Sequence, residues 1–167
     1  KLALKPEKRQ YEIIIGKNCI SRLGRRIKKL HLGTDVFLIT NKQVWKLFGR
    51  QVLKSLKGMK SIHVEQLPVG EKYKSEEMWS NLTARLASFD NEKKRILIVN
   101  LGGGVVSDLG GFVAATYRRG INYVQIPTTF LGIVDSSIGG KVGINAGNIK
   151  NIVGSFYQPK LVFSDIS

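Results

Sequence analysis

The sequence contains one cysteine, two histidines and few acidic residues, and each shortage excludes a class of protein. The single thiol of Cys19 cannot form an internal disulfide, which favours a reducing compartment. His31 and His63 lie far outside any paired-ligand spacing, so we expect no complete zinc site within the chain. Apolar runs long enough to span a membrane are missing, since about 20 such residues are needed. The sequence therefore predicts no membrane partner.

Acidic residues are so few that the formal net charge is +15, and the excess is regional. Residues 1–60 hold 16 Lys and Arg against three acidic residues, whereas residues 61–167 hold 11 against nine. One interpretation is a surface for nucleic acid or another polyanion, and the other is a set of solvated helix faces. We favour the second, because no nucleic-acid motif and no interleaving of aromatic and basic residues accompanies the charge.

The pattern that is present is an alternation of short apolar runs with longer segments of helical periodicity. Strands are predicted at residues 11–15, 36–40, 61–65, 95–100, 123–126 and 161–163. Helices are predicted at residues 20–32, 44–56, 75–89 and 105–117, with Ser75 as an N-cap. Strands separated by helix-length segments indicate an α/β fold, namely a Rossmann-like, doubly wound, mostly parallel sheet with helices on both faces.

Ligands in such sheets bind beyond the carboxyl ends of the strands, which predicts one rim of candidate residues. The rim would contain Asn41, Gly70–Ser75, Gly102–Gly104 and Thr128–Thr129. Glycines that open a helix let backbone N–H groups approach a pyrophosphate. The dinucleotide fingerprint would place glycine at position 107, where Ser107 stands, so a plain tight turn is an equally good interpretation.

Several single residues on this rim also have two interpretations. Asp108, in the first turn of the predicted helix, could complement the helix dipole or accept a hydrogen bond from a ligand hydroxyl. Glu71 and Lys74 could bind ribose and phosphate, although a solvated loop is the simpler interpretation. The hydroxyls of Thr128 and Thr129 could face the rim or cap the next helix.

The densest polar set covers residues 135–141 together with Lys150 and Asn151. Two lysines and an asparagine suit a phosphate or carboxylate with neighbouring hydroxyls. Arg118 and Arg119 lie at a predicted helix end, with Gly120 as the cap. Dipole complementation explains Arg118 better than Arg119.

Seven segments occur in a fixed order: PVGEKYKS, GGGVVSD, GFVAATYRRG, PTT, VDSSIGGK, GIN and KNIVGSFYQP. Together they resemble the 3-dehydroquinate synthase family of sugar-phosphate cyclases. The resemblance implies that residues 1–167 form the N-terminal NAD-binding domain of a two-domain enzyme. The second, mainly helical domain would hold zinc or cobalt through one Glu and two His, so no metal ligand is expected in this chain.

The reaction implied by the resemblance converts 3-deoxy-D-arabino-heptulosonate 7-phosphate into 3-dehydroquinate and phosphate. It proceeds by NAD-dependent oxidation, β-elimination, reduction and an intramolecular aldol step, and it belongs to the shikimate pathway of aromatic amino acid biosynthesis. Such an enzyme is a phosphate-releasing carbon–oxygen lyase. The chain alone would lack turnover, and the full-length protein is expected to be a cytoplasmic homodimer.

The resemblance also implies roles for individual residues. The expected NAD-binding residues are Gly70, Glu71, Lys72, Tyr73, Lys74, Ser75, Gly104, Val105, Val106, Ser107, Asp108, Thr128, Thr129, Lys141 and Lys150. The residues expected to face the substrate are Asp135, Lys141, Lys150, Asn151 and Arg119. Arg119 would reach the substrate phosphate, with a dimer interface as one route.

The sequence departs from the family pattern at three places. Ser107 replaces a glycine, Val142 replaces a threonine, and residues 146–149 replace an HPxG segment. The interval from Lys141 to Lys150 is unchanged, so both cations are expected to converge. Two alternatives stay open: a cyclase acting on sedoheptulose 7-phosphate or glucose 6-phosphate, and a non-catalytic nucleotide- or polyanion-binding module.

Overall fold

The computed structural model describes residues 11–167 and contains a six-stranded parallel sheet with helices on both faces. The strand order is β1-β8-β5-β4-β2-β3, and β6 and β7 form a separate antiparallel hairpin. The strands are β1 Glu12–Gly16, β2 Asp35–Asn41, β3 Ser61–Leu67, β4 Ile96–Gly102, β5 Tyr123–Pro127, β6 Lys141–Ala146, β7 Ile149–Phe156 and β8 Leu161–Asp165. The helices are α1 Leu23–Lys29, α2 Lys42–Ser55, α3 Glu76–Phe89 and α4 Gly104–Thr116. The predicted doubly wound α/β fold is confirmed.

The central strand β4 explains why the apolar runs are continuous rather than alternating. All seven of its residues are buried. Leu97 and Val99 pack in one core cluster with α1 and α2, whereas Ile98 packs in the other with α3 and α4. Both faces of the strand are covered, which is why its sequence is almost continuously apolar. Asn100 is the one polar side chain in the strand, and it is 1% exposed.

The edge of the sheet joins distant parts of the chain. Strand β1 pairs in parallel with β8, and β8 in turn pairs with β5. The N–H of Ile20 donates to the Asp165 carboxylate at 2.8 Å across a separation of 145 residues. Strand β1 is thus held at the sheet by β8.

The helix starts follow the capping chemistry of the sequence. The Ser75 hydroxyl accepts from the N–H of Met78 at 3.3 Å, which confirms the predicted N-cap. The Asn41 side chain accepts from the N–H of Val44 at 2.9 Å and caps α2 in the same way. Helix α4 begins at Gly104, so Asp108 lies in its second turn and not, as predicted, in its first.

The β6–β7 hairpin is a feature that the sequence did not predict. Strand β6 packs on α4, where a Cβ at Gly111 would lie 2.3 Å from Val142. All eight residues of β7 are exposed. Among residues 11–167, no helix has both the length and the apolar character needed to cross a membrane.

Candidate active site

The predicted rim exists, because the sheet strands are parallel and their carboxyl ends meet at one edge. Strand β3 leads into the Gly70–Ser75 segment, β4 into Gly103, and β5 into Thr128 and Thr129. This edge of the sheet is where doubly wound folds bind ligands.

The glycine-rich turn after β4 leaves the start of α4 open. Gly103 occupies the N-cap position and has no side chain to accept from the first helical N–H groups. Those N–H groups and the helix dipole favour an anion at this point. A Cβ at Gly103 would lie 3.0 Å from Thr129 Cγ2, so glycine lets the segment after β5 come close.

Two of the predicted cofactor residues in this helix are buried. Val106 and Ser107 face the sheet, and Ser107 is 1% exposed. The Gln125 side-chain amide donates to the Ser107 carbonyl at 3.1 Å. The side chain at position 107 therefore does not line the open turn, whereas the backbone of Gly104 and Val105 does border it.

Lys74 is buried, which makes the solvated-loop interpretation wrong for this residue. It is 4% exposed although its neighbours Glu71 and Lys72 are exposed. Its ammonium group donates to the Asp108 carboxylate and to the Asn151 side-chain oxygen. One lysine thus joins the segment after β3, helix α4 and the hairpin.

Asp108 is a carboxyl group in an environment that disfavours its charge. Burial raises the pKa of Asp108 above its ordinary value, and the nearby charges of Glu71 and Asp135 raise it further. The hydrogen bond and charge of Lys74 oppose this rise without cancelling it. A carboxylate in this state gains from any additional hydroxyl or cationic partner.

A cavity of about 430 Å³ lies between α4, the π-helical turn Gly132–Ser136 and the hairpin. Its polar lining includes Asp108, Asp135, Ser136, Lys141 and Asn151. The Lys141 ammonium lies 4.0 Å from the Asp135 carboxylate, and both side chains are about two-thirds exposed. The lining therefore combines an accessible cation with accessible carboxylates.

Ser136 and Asn145 are candidate site residues to which the sequence predictions gave no individual role, although they lie in the polar set 135–141 and in the GIN segment. Ser136 lines the cavity, and its buried hydroxyl has no hydrogen-bond partner among the described residues. Asn145 contacts both Glu71 and Asn151. The VDSSIGGK and GIN segments drew attention to this part of the chain, but neither pattern distinguishes these two side chains from their neighbours.

Two predicted site residues lie away from this cavity. Lys150 is exposed near the turn of the hairpin, whereas Lys141 lies at the other end, opposite Phe156. Lys141 lines the cavity and Lys150 is not among its lining residues, so the convergence of both lysines on one ligand stays a prediction. Arg119 follows α4 at the end remote from the glycine turn, and a 13-residue helix is about 20 Å long.

Arg118 and Gly120, near the same end of α4, have structural roles. Arg118 forms an ion pair with Asp90 at 2.8 Å, which accounts for its position without a ligand. Gly120 has a φ of 122° and ends the segment, as the sequence predicts.

Thr128 and Thr129 line a second cavity, of about 330 Å³, on the α2 side of the sheet. The Thr129 hydroxyl accepts from the N–H of Gly132 at 3.0 Å. This confirms the capping interpretation for Thr129. Within residues 11–167, no group of three or more His, Cys, Asp or Glu side chains is placed to hold a metal ion.

Comparison with known sequences gives the family. Residues 64–167 match the profile described as 3-dehydroquinate synthase N-terminal. The chain belongs to the 3-dehydroquinate synthase family. A protein named 3-dehydroquinate synthase from Dehalococcoides mccartyi is 47% identical over 161 residues, which cover 95% of this chain and 44% of that protein. The chain thus spans less than half the length of this 3-dehydroquinate synthase.

Two solved structures show how members of neighbouring groups fold. A 2-deoxy-scyllo-inosose synthase complexed with carbaglucose-6-phosphate, NAD+ and Co2+ is 28% identical, with a TM-score of 0.85 over 95% of this chain and 43% of that one. ValA, a 2-epi-5-epi-valiolone synthase from Streptomyces hygroscopicus subsp. jinggangensis with NAD+ and Zn2+ bound, is 26% identical, with a TM-score of 0.80 over 99% of this chain and 45% of that one. The chain therefore shares its fold with sugar-phosphate cyclases.

Proposed function

We propose that the full-length protein is a 3-dehydroquinate synthase and that residues 1–167 form its N-terminal NAD-binding domain. The reaction would convert 3-deoxy-D-arabino-heptulosonate 7-phosphate into 3-dehydroquinate and phosphate. The observation that carries the proposal is the open glycine turn of α4 beside the polar cavity and beside the ion pair of buried Lys74 with partly buried Asp108. Family membership and the names of the relatives support it.

The residues at the sheet edge fit NAD. The uncapped N–H groups at Gly104 and Val105 would bind the pyrophosphate, as helix N-termini bind anions. Asp108 would accept from a ribose hydroxyl, and the exposed Glu71 carboxylate would accept from the other ribose. NAD, when bound, supplies the oxidation and the later reduction of one substrate carbon.

The cavity residues fit a phosphorylated, hydroxyl-rich acid. The exposed ammonium of Lys141 would bind an anionic group of the substrate, while Asp135 would accept from its hydroxyls. Asn151, whose position is set by Lys74, would orient the substrate relative to the cofactor. The contribution of this chain is therefore orientation and electrostatic stabilisation.

Two further parts of the active site would come from outside this cavity. Arg119 is exposed at the remote end of α4, so we propose that it serves the cavity of a second copy in a homodimer. The described residues do not fit a metal centre. Zinc or cobalt would therefore bind a second domain of the full-length protein.

A second candidate function is another sugar-phosphate cyclase activity. It is favoured by the likeness to 2-deoxy-scyllo-inosose synthase over 95% of this chain and to 2-epi-5-epi-valiolone synthase over 99% of it. The two candidates share NAD chemistry and differ in the sugar phosphate that the cavity accepts.

The test is phosphate release by the full-length protein with NAD and Co2+ or Zn2+. We expect release from 3-deoxy-D-arabino-heptulosonate 7-phosphate, with 3-dehydroquinate as the other product. We expect Lys141→Met to lower kcat/KM by roughly 100-fold or more, since it removes a cation that binds the substrate. Lys93→Met is the matched control, because Lys93 is exposed and far from the cavity lining.

Each other outcome has a definite meaning. Release from glucose 6-phosphate or sedoheptulose 7-phosphate alone would select the second candidate. No release from any of the three sugar phosphates by a folded, metal-loaded protein would contradict both.

A further inference from the structure

Asn145 lies where the pairing of the hairpin is interrupted. Ile144 pairs with Val153 but Ala146 pairs with Ile149, so Lys150–Ile152 lie opposite Asn145 alone. Bulges of this kind re-aim side chains and are common beside active sites. Here the bulge brings the backbone of Asn145 to the proposed cofactor segment, where its N–H donates to the Lys74 carbonyl at 2.8 Å.

Both polar atoms of the Asn145 side-chain amide form hydrogen bonds. Its Nδ2 donates to Glu71 Oε1 at 3.1 Å, and its Oδ1 accepts from the N–H of Asn151 at 2.9 Å. Asn151 has a φ of 57°, in the left-handed region that asparagine adopts more readily than most other residues with a side chain. The bond to Asn145 helps to hold Asn151 in that conformation.

These contacts close a circuit of hydrogen bonds. The Lys74 ammonium donates to the Asn151 side chain, the Asn151 N–H donates to Asn145, and the Asn145 N–H donates to the Lys74 carbonyl. Because Lys74 is buried, water competes little for its bonds. A displacement of any one of the three residues therefore strains its hydrogen bonds to the other two.

Glu71, which belongs to the proposed cofactor segment, is linked to this circuit by the hydrogen bond that it accepts from the Asn145 side chain. We propose that Asn145 is a positioning residue that couples NAD binding at Glu71 and Lys74 to substrate binding at Asn151. Ordering of the Gly70–Ser75 segment by NAD fixes Asn145, and Asn145 fixes the conformation of Asn151. By linkage, bound substrate strengthens NAD binding by the same factor. The inference rests on the proposed function, since it takes Glu71 as a cofactor residue and Asn151 as a substrate residue.

Two single variants of the full-length protein separate the contributions of the two hydrogen bonds that the Asn145 side chain forms. Asn145→Ala removes both hydrogen bonds, so we expect the NAD Kd and the substrate KM each to rise roughly tenfold. Asn145→Asp keeps the acceptor for the Asn151 N–H and loses the donor to Glu71. We expect it to raise the NAD Kd while the KM for 3-deoxy-D-arabino-heptulosonate 7-phosphate at saturating NAD stays near the wild-type value.

A double variant, Asn145→Asp with Glu71→Gln, reverses the polarity of the lost hydrogen bond. The amide introduced at position 71 can then donate to the carboxylate introduced at position 145. We expect the NAD Kd to recover by roughly threefold or more relative to Asn145→Asp alone. Asn148→Ala is the control, because Asn148 is exposed in the same hairpin, and it should change neither constant. NAD affinity is measured by calorimetry and the KM by phosphate release, with melting temperatures recorded for every variant.

A general loss of structure would move all constants together and would show no recovery in the double variant. The inference is overturned if Asn145→Ala matches the wild type in both constants, or if Asn145→Asp and the double variant bind NAD equally. Failure of the proposed function is distinct, because the wild-type protein would then release no phosphate from 3-deoxy-D-arabino-heptulosonate 7-phosphate, whatever its affinity for NAD.

Discussion

Strand β4 and strand β7 are similar in length but are stabilised by different interactions. Every residue of β4 is buried between two helical layers, whereas every residue of β7 is exposed. Apolar burial therefore stabilises the sheet, at about 25 cal/mol for each Å² removed from water. The polar end of the hairpin is held instead by Lys74 and Asn145. Stability and site geometry thus depend on different interactions and can be perturbed separately.

The largest loss of unfolding free energy should come from a substitution in the core of the sheet. We expect Leu97→Ala to lower the free energy of unfolding by about 2–5 kcal/mol, because Leu97 is fully buried and the change leaves a cavity. Urea titration measures the loss. Leu47→Ala makes the same change at a leucine that is 68% exposed and should cost no more than about 0.5 kcal/mol. Equal losses at the two positions would contradict the assignment of stability to the sheet.

A smaller and more local effect is expected at the base of the hairpin. Lys74→Met leaves the partly buried Asp108 carboxyl without its ammonium partner and should cost about 1–3 kcal/mol. Amide hydrogen exchange should become faster in β6 and β7 than in the wild type while β4 amides change little. Lys72→Met serves as the control, because that lysine is exposed. Uniform loss of protection across both regions would show that the hairpin is not separately anchored.

Two carboxyl groups should give opposite pH dependences. Burial alone would raise the pKa of Asp35 in the sheet, but hydrogen bonds from Ser61 and Thr34 outweigh it and the pKa is lowered. Its stabilising contribution is present above the unfolded pKa, about 3.9, and is lost as pH falls through the lowered folded pKa. The pKa of Asp108 is raised, mainly by burial, so its contribution declines as pH rises from about 3.9 through the raised folded pKa.

Urea titrations from about pH 7 to about pH 3 test both signs, since this range spans the ordinary carboxyl pKa. The stability advantage of the wild type over Asp35→Asn should shrink as the pH falls. The stability of the wild type relative to Asp108→Asn should instead increase over the same range. The same sign for both variants would contradict the difference in their environments.

The smallest change in unfolding free energy is expected for the loss of a helix cap. Two helix caps at the same edge of the sheet can be compared. Ser75→Ala and Asn41→Ala each remove one N-cap hydrogen bond and should each cost about 1 kcal/mol of unfolding free energy. Ser75 belongs to the proposed cofactor segment and Asn41 does not, so Ser75→Ala alone should weaken NAD binding. Calorimetric titration with NAD measures the affinity of each variant. Equal NAD affinities of Ser75→Ala and Asn41→Ala would show that Ser75 does not contribute to NAD binding.

Most of the sheet could be predicted from the sequence because its signals are local. The apolar runs of β2 and β4, the turn glycines after β4 and the capping hydroxyl of Ser75 each act through neighbouring residues. The parallel order then brings their carboxyl ends together without further information. This is why the position of the candidate site could be predicted.

The hairpin and its anchors could not be predicted in this way. Strand β7 is exposed along its whole length, so it carries no alternation of buried and exposed residues. Lys74 lies in a polar loop, and its buried ammonium group binds Asp108 and Asn151, which are 34 and 77 residues away. The role of Asn145 depends on a bulge that no residue type specifies. These features arise from contacts between segments.

The pairing of β1 with β8 has a consequence for synthesis on the ribosome. At about 5–20 residues per second, Asp165 emerges roughly 7–30 s after its partner Ile20, which precedes it by 145 residues. During that delay β1 has no neighbouring strand, and once β5 has been made, the edge that β8 later covers stays unpaired until β8 follows. Unpaired strand edges invite association with other chains. Until β8 is made, the strand edges of β1 and β5 therefore remain open to association with other chains.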